Sequence, residues 1–270
     1  MALFEVIHLF FVYLRYMKTK FLSIILSVAL LCAGCTGNNG ASGFWNDVDT
    51  TVTEENYGEA QDRFADFAEL LSTTSLKDAT KALDKLMDKL SSDEVSYLVY
   101  SDWMVSAFHS ILSPVRNPEL FDKCARRFSQ DGIMNKGQYS PLLELAAKDK
   151  LNLSGSECSL PPLKDAEGTP FALNPGEETV FAVINLDCAT CVSALNALSN
   201  KPGRHVALCF GRTPAPVIPG WEYFYSDTMD DYFDLDAAPF WFAADGNGRI
   251  STEYSYAPEY KDSFATPQNQ

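Results

Sequence analysis

The sequence predicts an α+β chain of two domains, an N-terminal all-α helical domain followed by an α/β domain. From about residue 54 to residue 150, apolar residues recur at helical spacing. Beyond residue 151, nearly continuous apolar runs of strand length alternate with turn signals, as expected for a sheet covered on both faces. A length of 270 residues, 46% of them apolar, is that of a globular protein with one large or two modest domains.

The helical domain is predicted over residues 54–150. Ser91 with Glu94 three residues later is typical of a capping box, in which two side chains satisfy backbone N–H groups at a helix start. Asn117 followed by Pro118 indicates another helix start, because asparagine accepts hydrogen bonds from the first turn and proline lacks an N–H that would need a partner there.

The α/β domain is predicted over residues 151–270. Its strand-length runs are apolar and aromatic, and an Asp-Gly-Asn-Gly turn joins the last two as a hairpin. A helical segment, Val192–Leu198, lies between the first two runs. The predicted strands are Thr179–Leu186, His205–Phe210, Tyr223–Tyr225, Phe240–Ala243 and Arg249–Thr252.

The charge balance excludes one class of partner. The chain has 21 Lys and Arg residues against 36 Asp and Glu residues, a formal net charge of −15. Nucleic-acid binding relies on neutralising phosphates with basic side chains. We therefore expect no nucleic-acid partner, and the acidity itself indicates solubility more than any function.

Residues 1–34 are predicted to be a signal peptide. The apolar run Phe21–Leu31 follows Lys18 and Lys20 and ends in a Cys-Ala-Gly-Cys sequence whose last residue is Cys35. A transmembrane helix needs roughly 20 apolar residues, so this run is too short to span a membrane. A basic start, a short apolar segment and small residues before a cysteine resemble a bacterial lipoprotein signal peptide, which implies cleavage before Cys35 and lipidation of that cysteine.

The resemblance to lipoproteins also implies a location. Acyl chains on Cys35 would anchor the protein stably in a membrane of the bacterial cell envelope, with residues 35–53 as a polar tether. Residues 36–42 contain no acidic cluster, which favours an anchor that faces the periplasm. The first 16 residues add nothing that a secretory signal needs, so we expect Met17 to be the true start.

A C-x-x-C motif is the candidate catalytic site. Cys188 and Cys191 directly follow the first predicted strand and open the helical segment. The start of a helix leaves backbone N–H groups unpaired around the first sulfur, and the helix dipole favours negative charge there. Cys188 is therefore predicted to be the nucleophile, and Cys191, one turn further on, the thiol that resolves a mixed disulfide.

Zinc binding is the alternative use of a C-x-x-C pair. A zinc site needs a second pair of ligands, and His109 and His205, the histidines beyond the signal peptide, are not spaced as a ligand pair. We therefore expect redox chemistry, with no metal and no cofactor.

Residues 155–255 resemble the thioredoxin-like superfamily, and specifically its TlpA/ResA-like envelope branch. The likeness rests on the strand that runs into Asp187 and the C-x-x-C motif, on the segment Phe233–Phe242, and on the Asp245–Ile250 hairpin. It implies a central mixed sheet and a cis proline at Pro239, opposite Cys188. It also implies that Ala238 and Pro239 bind substrate, the backbone of Ala238 pairing with a bound peptide. The implied activity is thiol-disulfide exchange, with protein thiols or disulfides of the envelope as partners.

Three positions depart from the family pattern. Asp187 stands where an aromatic residue is common, and its like charge should oppose a Cys188 thiolate. Ala194 and Ala182 stand where relatives have carboxylates, so no buried carboxylate is evident to accept the proton of Cys191. These departures keep an alternative open, in which the protein is a non-catalytic binding or scaffold lipoprotein with a structural C-x-x-C disulfide.

The helical half resembles, more weakly, a domain of unknown function that precedes thioredoxin-like domains in lipoproteins of the Bacteroidetes. The matching stretches are Phe44–Asp47 and Ser113–Leu120. That likeness informs architecture only. We expect Phe44 and Trp45 to pack against the helices, because large aromatic side chains are mostly buried.

The remaining chemically active side chains are expected to be structural. His109 lies among aromatic residues and is predicted to be a satisfied histidine of the core or surface. Cys124 and Cys209 lie in apolar stretches and are expected to act as small hydrophobic residues. A disulfide between Cys124 and Cys158 is an open alternative in an oxidising compartment.

Overall fold

The computed structural model describes residues 40–256. Five α-helices form the N-terminal half of this region. The predicted signal peptide, the start at Met17 and the lipidated Cys35 lie outside the described residues. Among those that are described, no helix has both the length and the apolar character needed to cross a membrane. The helices are α1 (Tyr57–Ser72), α2 (Leu76–Leu90), α3 (Glu94–Phe108), α4 (Pro118–Gln130) and α5 (Lys136–Asp149).

The start of α4 confirms one predicted cap, and the start of α3 corrects another. The Asn117 side chain accepts hydrogen bonds from the first turn of α4, and Pro118 is its first residue, as expected. The cap of α3, however, is Asp93, whose carboxylate accepts from the N–H of Val95. Ser91 was predicted to cap α3 but instead caps the end of α2. Because α2 continues to Leu90, Ser91 keeps helical backbone angles (φ −62°, ψ −14°) that a helix start does not have.

The helical core is the set of aromatic and aliphatic side chains buried by these five helices, including Phe67, Leu86 and Phe121. Trp45, which lies within the predicted tether, is 4% exposed and packs edge-on against Phe67 and Tyr100 at 5.3 and 5.8 Å. The ring of Phe44 lies 5.3 Å from that of Phe67. The expectation that Phe44 and Trp45 pack against the helices is therefore confirmed.

A mixed five-stranded sheet forms the second half, with the strand order β3-β2-β1-β4-β5. The first three strands run parallel to one another, and the last two are antiparallel to their neighbours. The strands are β1 (Thr179–Asn185), β2 (Arg204–Phe210), β3 (Trp221–Tyr225), β4 (Phe240–Ala244) and β5 (Ile250–Ser255). Helix α6 (Ala189–Leu198) joins β1 to β2, and the short α7 (Met229–Tyr232) with a 3-10 turn (Leu235–Ala237) joins β3 to β4.

The sheet is buried on both faces, which explains its continuous apolar runs. One face, with α6 against it, forms the dithiol-side core, which contains Ala182, Cys191 and Leu195. The other face forms the far-side core, which contains Phe181, Phe233 and Tyr254 and is also contacted by Ile111 of the helical half. Helix α5 ends at Asp149, next to the boundary predicted near residue 150. The division of the chain into two domains stays a prediction.

Asp187 ties the end of β1 to the loop that follows β2. Its carboxylate accepts hydrogen bonds from the N–H of Arg212 at 3.1 Å and from the N–H and hydroxyl of Thr213 at 2.9 and 2.6 Å. The close approach depends on Gly211, which has φ +103°. A Cβ at Gly211 would lie 2.8 Å from Oδ1 of Asn185 and 3.0 Å from Oδ2 of Asp187.

We predict that Gly211→Ala destabilises the protein more than Gly220→Ala does. Both glycines have positive φ, but a Cβ at Gly220 would meet no atom within 4 Å, so the comparison isolates the steric overlap at Gly211. Overpacking of this kind costs roughly 1–3 kcal/mol. Denaturant unfolding of both variants measures the difference, and equal free energies of unfolding would contradict the tight contact at Asp187.

Candidate active site

Cys188 lies at the N-cap of α6, directly beyond β1. Its backbone is extended (φ −113°, ψ 112°), so the helix begins at the next residue and the sulfur lies beside the first turn. Cys188 is partly exposed, whereas Cys191, one turn later, is 1% exposed. Both cysteines are free thiols in the structure. The C-x-x-C pair is therefore a reduced dithiol with one accessible and one buried sulfur.

Hydrogen bonds at the first turn of α6 lower the pKa of Cys188. Partial burial raises this pKa, but the hydroxyl of Thr190, the side chain of Cys191 and the backbone N–H groups of Cys191 and Thr190 together outweigh it. The Thr190 Oγ1 lies 3.0 Å from the Cys188 sulfur. The two backbone donors belong to the N–H groups that a helix start leaves unpaired. The result favours a thiolate at Cys188.

The surroundings of Cys191 have the opposite effect. Burial, followed by the hydrogen bond with Cys188, raises the pKa of Cys191 to about 12. Its neighbours in the dithiol-side core include Ala182 and Ala194, the two positions where relatives were noted to have carboxylates. Cys191 is therefore a protonated thiol next to a more acidic one.

The Asp187 carboxylate accepts hydrogen bonds from the loop that follows β2. The hydroxyl of Thr213 and the backbone N–H groups of Arg212 and Thr213 lower the pKa of Asp187, so this residue is ionised. These donors also stabilise the negative charge of Asp187, which was expected to oppose a thiolate at Cys188.

Pro239 lies at the same end of the sheet as the dithiol. The Ala238–Pro239 peptide bond is cis, as the family resemblance implied. Strands β1 and β4 pair with Val183 opposite Phe240, the first residue of β4. Because β1 then runs on to Cys188, and Pro239 directly precedes Phe240, the antiparallel register brings Pro239 to the end of β1 from which the dithiol emerges.

The other three cysteines that the structure describes are also buried or partly buried, and Cys209 shares the dithiol-side core with Cys191. Cys124 is in the helical core, and Cys209 is 2% exposed in β2. Cys158 is partly buried against the far-side core. All three are free thiols whose pKa burial raises, and Cys124 and Cys158 belong to different cores, so the structure does not contain the disulfide considered between them. Within residues 40–256, no three His, Cys, Asp or Glu side chains are grouped as metal ligands.

Two features near the site were not evident from the sequence. The first is the contact between the hydroxyl of Thr190 and the Cys188 sulfur. The position of Thr190 inside the C-x-x-C motif was the one sequence feature that could have indicated it. His109 is a satisfied histidine, as expected, but one of its partners is Asp234 of the α/β half, only five residues before Pro239. No local pattern links two residues so far apart in the chain.

Comparisons with known proteins identify the fold. No protein-family model and no curated protein matches the chain. A crystal structure of a thioredoxin-like protein from Bacteroides caccae matches with a TM-score of 0.63 and 16% identity, over 83% of this chain and 90% of that one. A solution structure of an uncharacterised thioredoxin-like protein from Porphyromonas gingivalis matches with 18% identity over 42% of this chain and 92% of that one, with a TM-score of 0.31.

The match to the Bacteroides caccae protein carries the structural argument. It spans more of the chain than the α/β half alone could supply, so part of the helical half is included. At 16% identity it speaks for the fold and not for an activity. The chain therefore has the thioredoxin-like fold, in the form of a mixed-sheet α/β half that follows a helical half.

Proposed function

We propose that this protein is a lipid-anchored thiol-disulfide oxidoreductase of the cell envelope, acting on partner proteins through Cys188 and Cys191. The observation that carries the proposal is the difference between the two thiols. Cys188 is accessible and its pKa is lowered, whereas Cys191 is buried and its pKa is raised. A nucleophile and a resolving thiol of one exchange reaction need these two different environments.

The exchange proceeds in two steps. The Cys188 thiolate attacks one sulfur of a substrate disulfide, so that a mixed disulfide forms and the other substrate sulfur leaves as a thiolate. Cys191 then gives up its proton to the first substrate thiolate and attacks the Cys188 sulfur, which breaks the mixed disulfide and releases the second substrate thiolate. The substrate gains two electrons, and the dithiol becomes a disulfide. Run in reverse, the same steps oxidise a substrate dithiol.

Ala238 and Pro239 are the residues we assign to peptide binding. Pro239 stands at the sheet end where the dithiol emerges, and a substrate cysteine must be presented there as part of an extended peptide. The N–H of Ala238 donates to the carbonyl of Leu235 at 3.3 Å. We therefore expect the carbonyl of Ala238 to accept a hydrogen bond from the substrate backbone.

We predict that Cys191→Ser traps a mixed disulfide that Cys188→Ser does not. With Cys191→Ser, the attacking thiol remains and the resolving thiol is lost, so an oxidised cysteine-bridged peptide should stay attached. Intact-mass measurement of the protein after incubation with the peptide detects the adduct. If neither variant forms an adduct, the scaffold alternative replaces the oxidoreductase, and the C-x-x-C pair becomes a structural element.

We predict that Thr190→Val raises the pKa of Cys188. Valine has nearly the shape of threonine but lacks the hydroxyl that contacts the sulfur, so the thiolate loses one hydrogen bond. The pH dependence of alkylation by iodoacetamide should shift upward toward that of a free thiol, about 8.5. Ser193→Ala is the matched control, because its hydroxyl donates to the carbonyl of Ala189 on the same helix. An equal shift in both variants would contradict the role of Thr190.

We predict that Cys35→Ser prevents lipid attachment of the exported protein. The apolar run and small residues before Cys35 are typical of a lipoprotein cleavage site, and the thiol is the acyl acceptor. Intact mass of the membrane fraction should show an acylated chain that begins at Cys35 in the wild type and not in the variant. A full-length, unacylated wild-type chain would contradict the anchor without bearing on the dithiol.

A further inference from the structure

His109 joins the helical half to the segment that precedes Pro239. It follows the last residue of α3, and its side chain is 11% exposed. Its Nδ1 lies 2.8 Å from Oδ2 of Asp149 at the end of α5, and its Nε2 lies 3.2 Å from Oδ2 of Asp234. One imidazole therefore bridges a carboxylate of the helical half and a carboxylate of the α/β half.

The His109 ring can donate a hydrogen bond to each of its two carboxylate partners only when it is protonated on both nitrogens. An ionised carboxylate only accepts hydrogen bonds, so both ring nitrogens donate at once only in the imidazolium form. Burial lowers the pKa of His109, but the hydrogen bonds and charges of Asp149 and Asp234 outweigh burial and raise it to about 9. The ring also packs on Phe121 of α4 at 4.8 Å. At neutral pH, His109 is therefore a buried cation between two carboxylates.

Other charged and titratable groups lie around the two carboxylates that face His109. Arg116 donates to Oδ1 of Asp149 at 2.8 Å and to the carbonyl of His109 at 3.1 Å, so Asp149 has a second cation. Lys148 of α5 lies 3.0 Å from Asp230 and helps only at a distance to lower the pKa of Asp234. Tyr254, on which the Arg116 guanidinium packs, has a pKa raised by burial and stays neutral. A neutral imidazole has one N–H for these two carboxylates, and we expect the shorter contact, at 2.8 Å to Asp149, to keep it, so that loss of the His109 proton weakens the 3.2 Å contact to Asp234.

Asp234 in turn organises the 3-10 turn before Pro239. While its Oδ2 faces His109, its Oδ1 accepts a hydrogen bond from the N–H of Asp236 at 3.2 Å and so caps the turn Leu235–Ala237. Its carbonyl accepts from the N–H of Ala237, also at 3.2 Å. A single carboxylate thus contacts the histidine and the turn that leads to the cis peptide.

We propose that His109 is a positioning residue for the dithiol site: through Asp234 it holds the turn that presents Ala238 and Pro239, so that the helical half sets the surface on which a peptide substrate docks. This inference rests on the proposed exchange of disulfides with protein partners. It assigns the helical half a role in peptide recognition. The reactivity of Cys188 is still determined by the groups around its sulfur.

The first experiment compares two disulfide probes in the variant His109→Gln. Glutamine is neutral and cannot hold two carboxylates as an imidazolium does. The rate with a cysteine-bridged peptide should fall on the order of tenfold, mainly through a higher KM, because a misplaced binding loop costs affinity for the backbone. The rate with 5,5′-dithiobis(2-nitrobenzoic acid), which has no peptide backbone, should stay near that of the wild type.

Asp230→Asn is the matched control for this comparison. It removes the ion pair with Lys148, which also joins the two halves, but leaves the turn and its cap intact. Both probes should react as with the wild type. Equal slowing of both probes by His109→Gln, or an equal effect of Asp230→Asn, would overturn the positioning role.

The second experiment does not depend on activity. In His109→Gln, hydrogen exchange at the N–H groups of Asp236, Ala237 and Ala238 should be faster than in the wild type, since the turn has lost its anchor. In the wild type, the same protection should be present at neutral pH and decline as the pH rises through about 9, where His109 loses its proton. Unchanged protection under both conditions would overturn the proposal.

A second variant guards against a folding defect in His109→Gln. Asp234→Asn keeps a side-chain oxygen for the cap but removes the charge that faces the imidazole, so NMR titration should give His109 a lower pKa than in the wild type. An unchanged pKa would overturn the tie between the two residues. If the wild type reacts with neither disulfide, the proposed function fails, while the exchange and titration measurements still decide whether His109 holds the turn.

Discussion

The junction between β1 and α6 is the feature on which the rest of the site depends. Strand β1 is covered on both faces and lies between β2 and β4, so its end is held in place from every side. The chain stays extended through Cys188 and turns helical at the next residue, which leaves N–H groups of the first turn beside the sulfur. The same helix carries Cys191 into the core. One junction thus creates both the acidic thiol and the protected one.

Neighbouring segments support this junction from different strands. Asp187 connects it to the loop after β2, and the antiparallel register of β4 brings Pro239 to the same end of the sheet. The segment before Pro239 is itself connected to the helical half through Asp234 and His109. The site is therefore assembled from parts of the chain that meet only in the folded protein, and the helical half is physically linked to its Pro239 segment.

Much of the fold was predictable, because it follows from local patterns. The apolar runs gave the strands, and Asn117 with Pro118 gave the start of α4, because a cap bonds to residues two or three positions away. The prediction of a capping box at Ser91 was wrong, because the local sequence offers two possible caps. Two acceptors, Ser91 and Asp93, compete within three residues, and the length of α2 decides between them by keeping Ser91 helical. Helix length depends on packing in the helical core, which the local sequence does not reveal.

The sequence by itself determined the dithiol and its place between a strand and a helix, because spacing and backbone preference act over a few residues. The proline segment that follows was implied by the family resemblance. Only the tertiary structure decided which side chains surround them. His109 meets Asp234 across 125 positions of the chain, and Asp187 meets Thr213 across 26. Such contacts arise from the packing of whole elements, so the charge of His109 and the support of the Pro239 segment become visible only when the helices and the sheet are brought together.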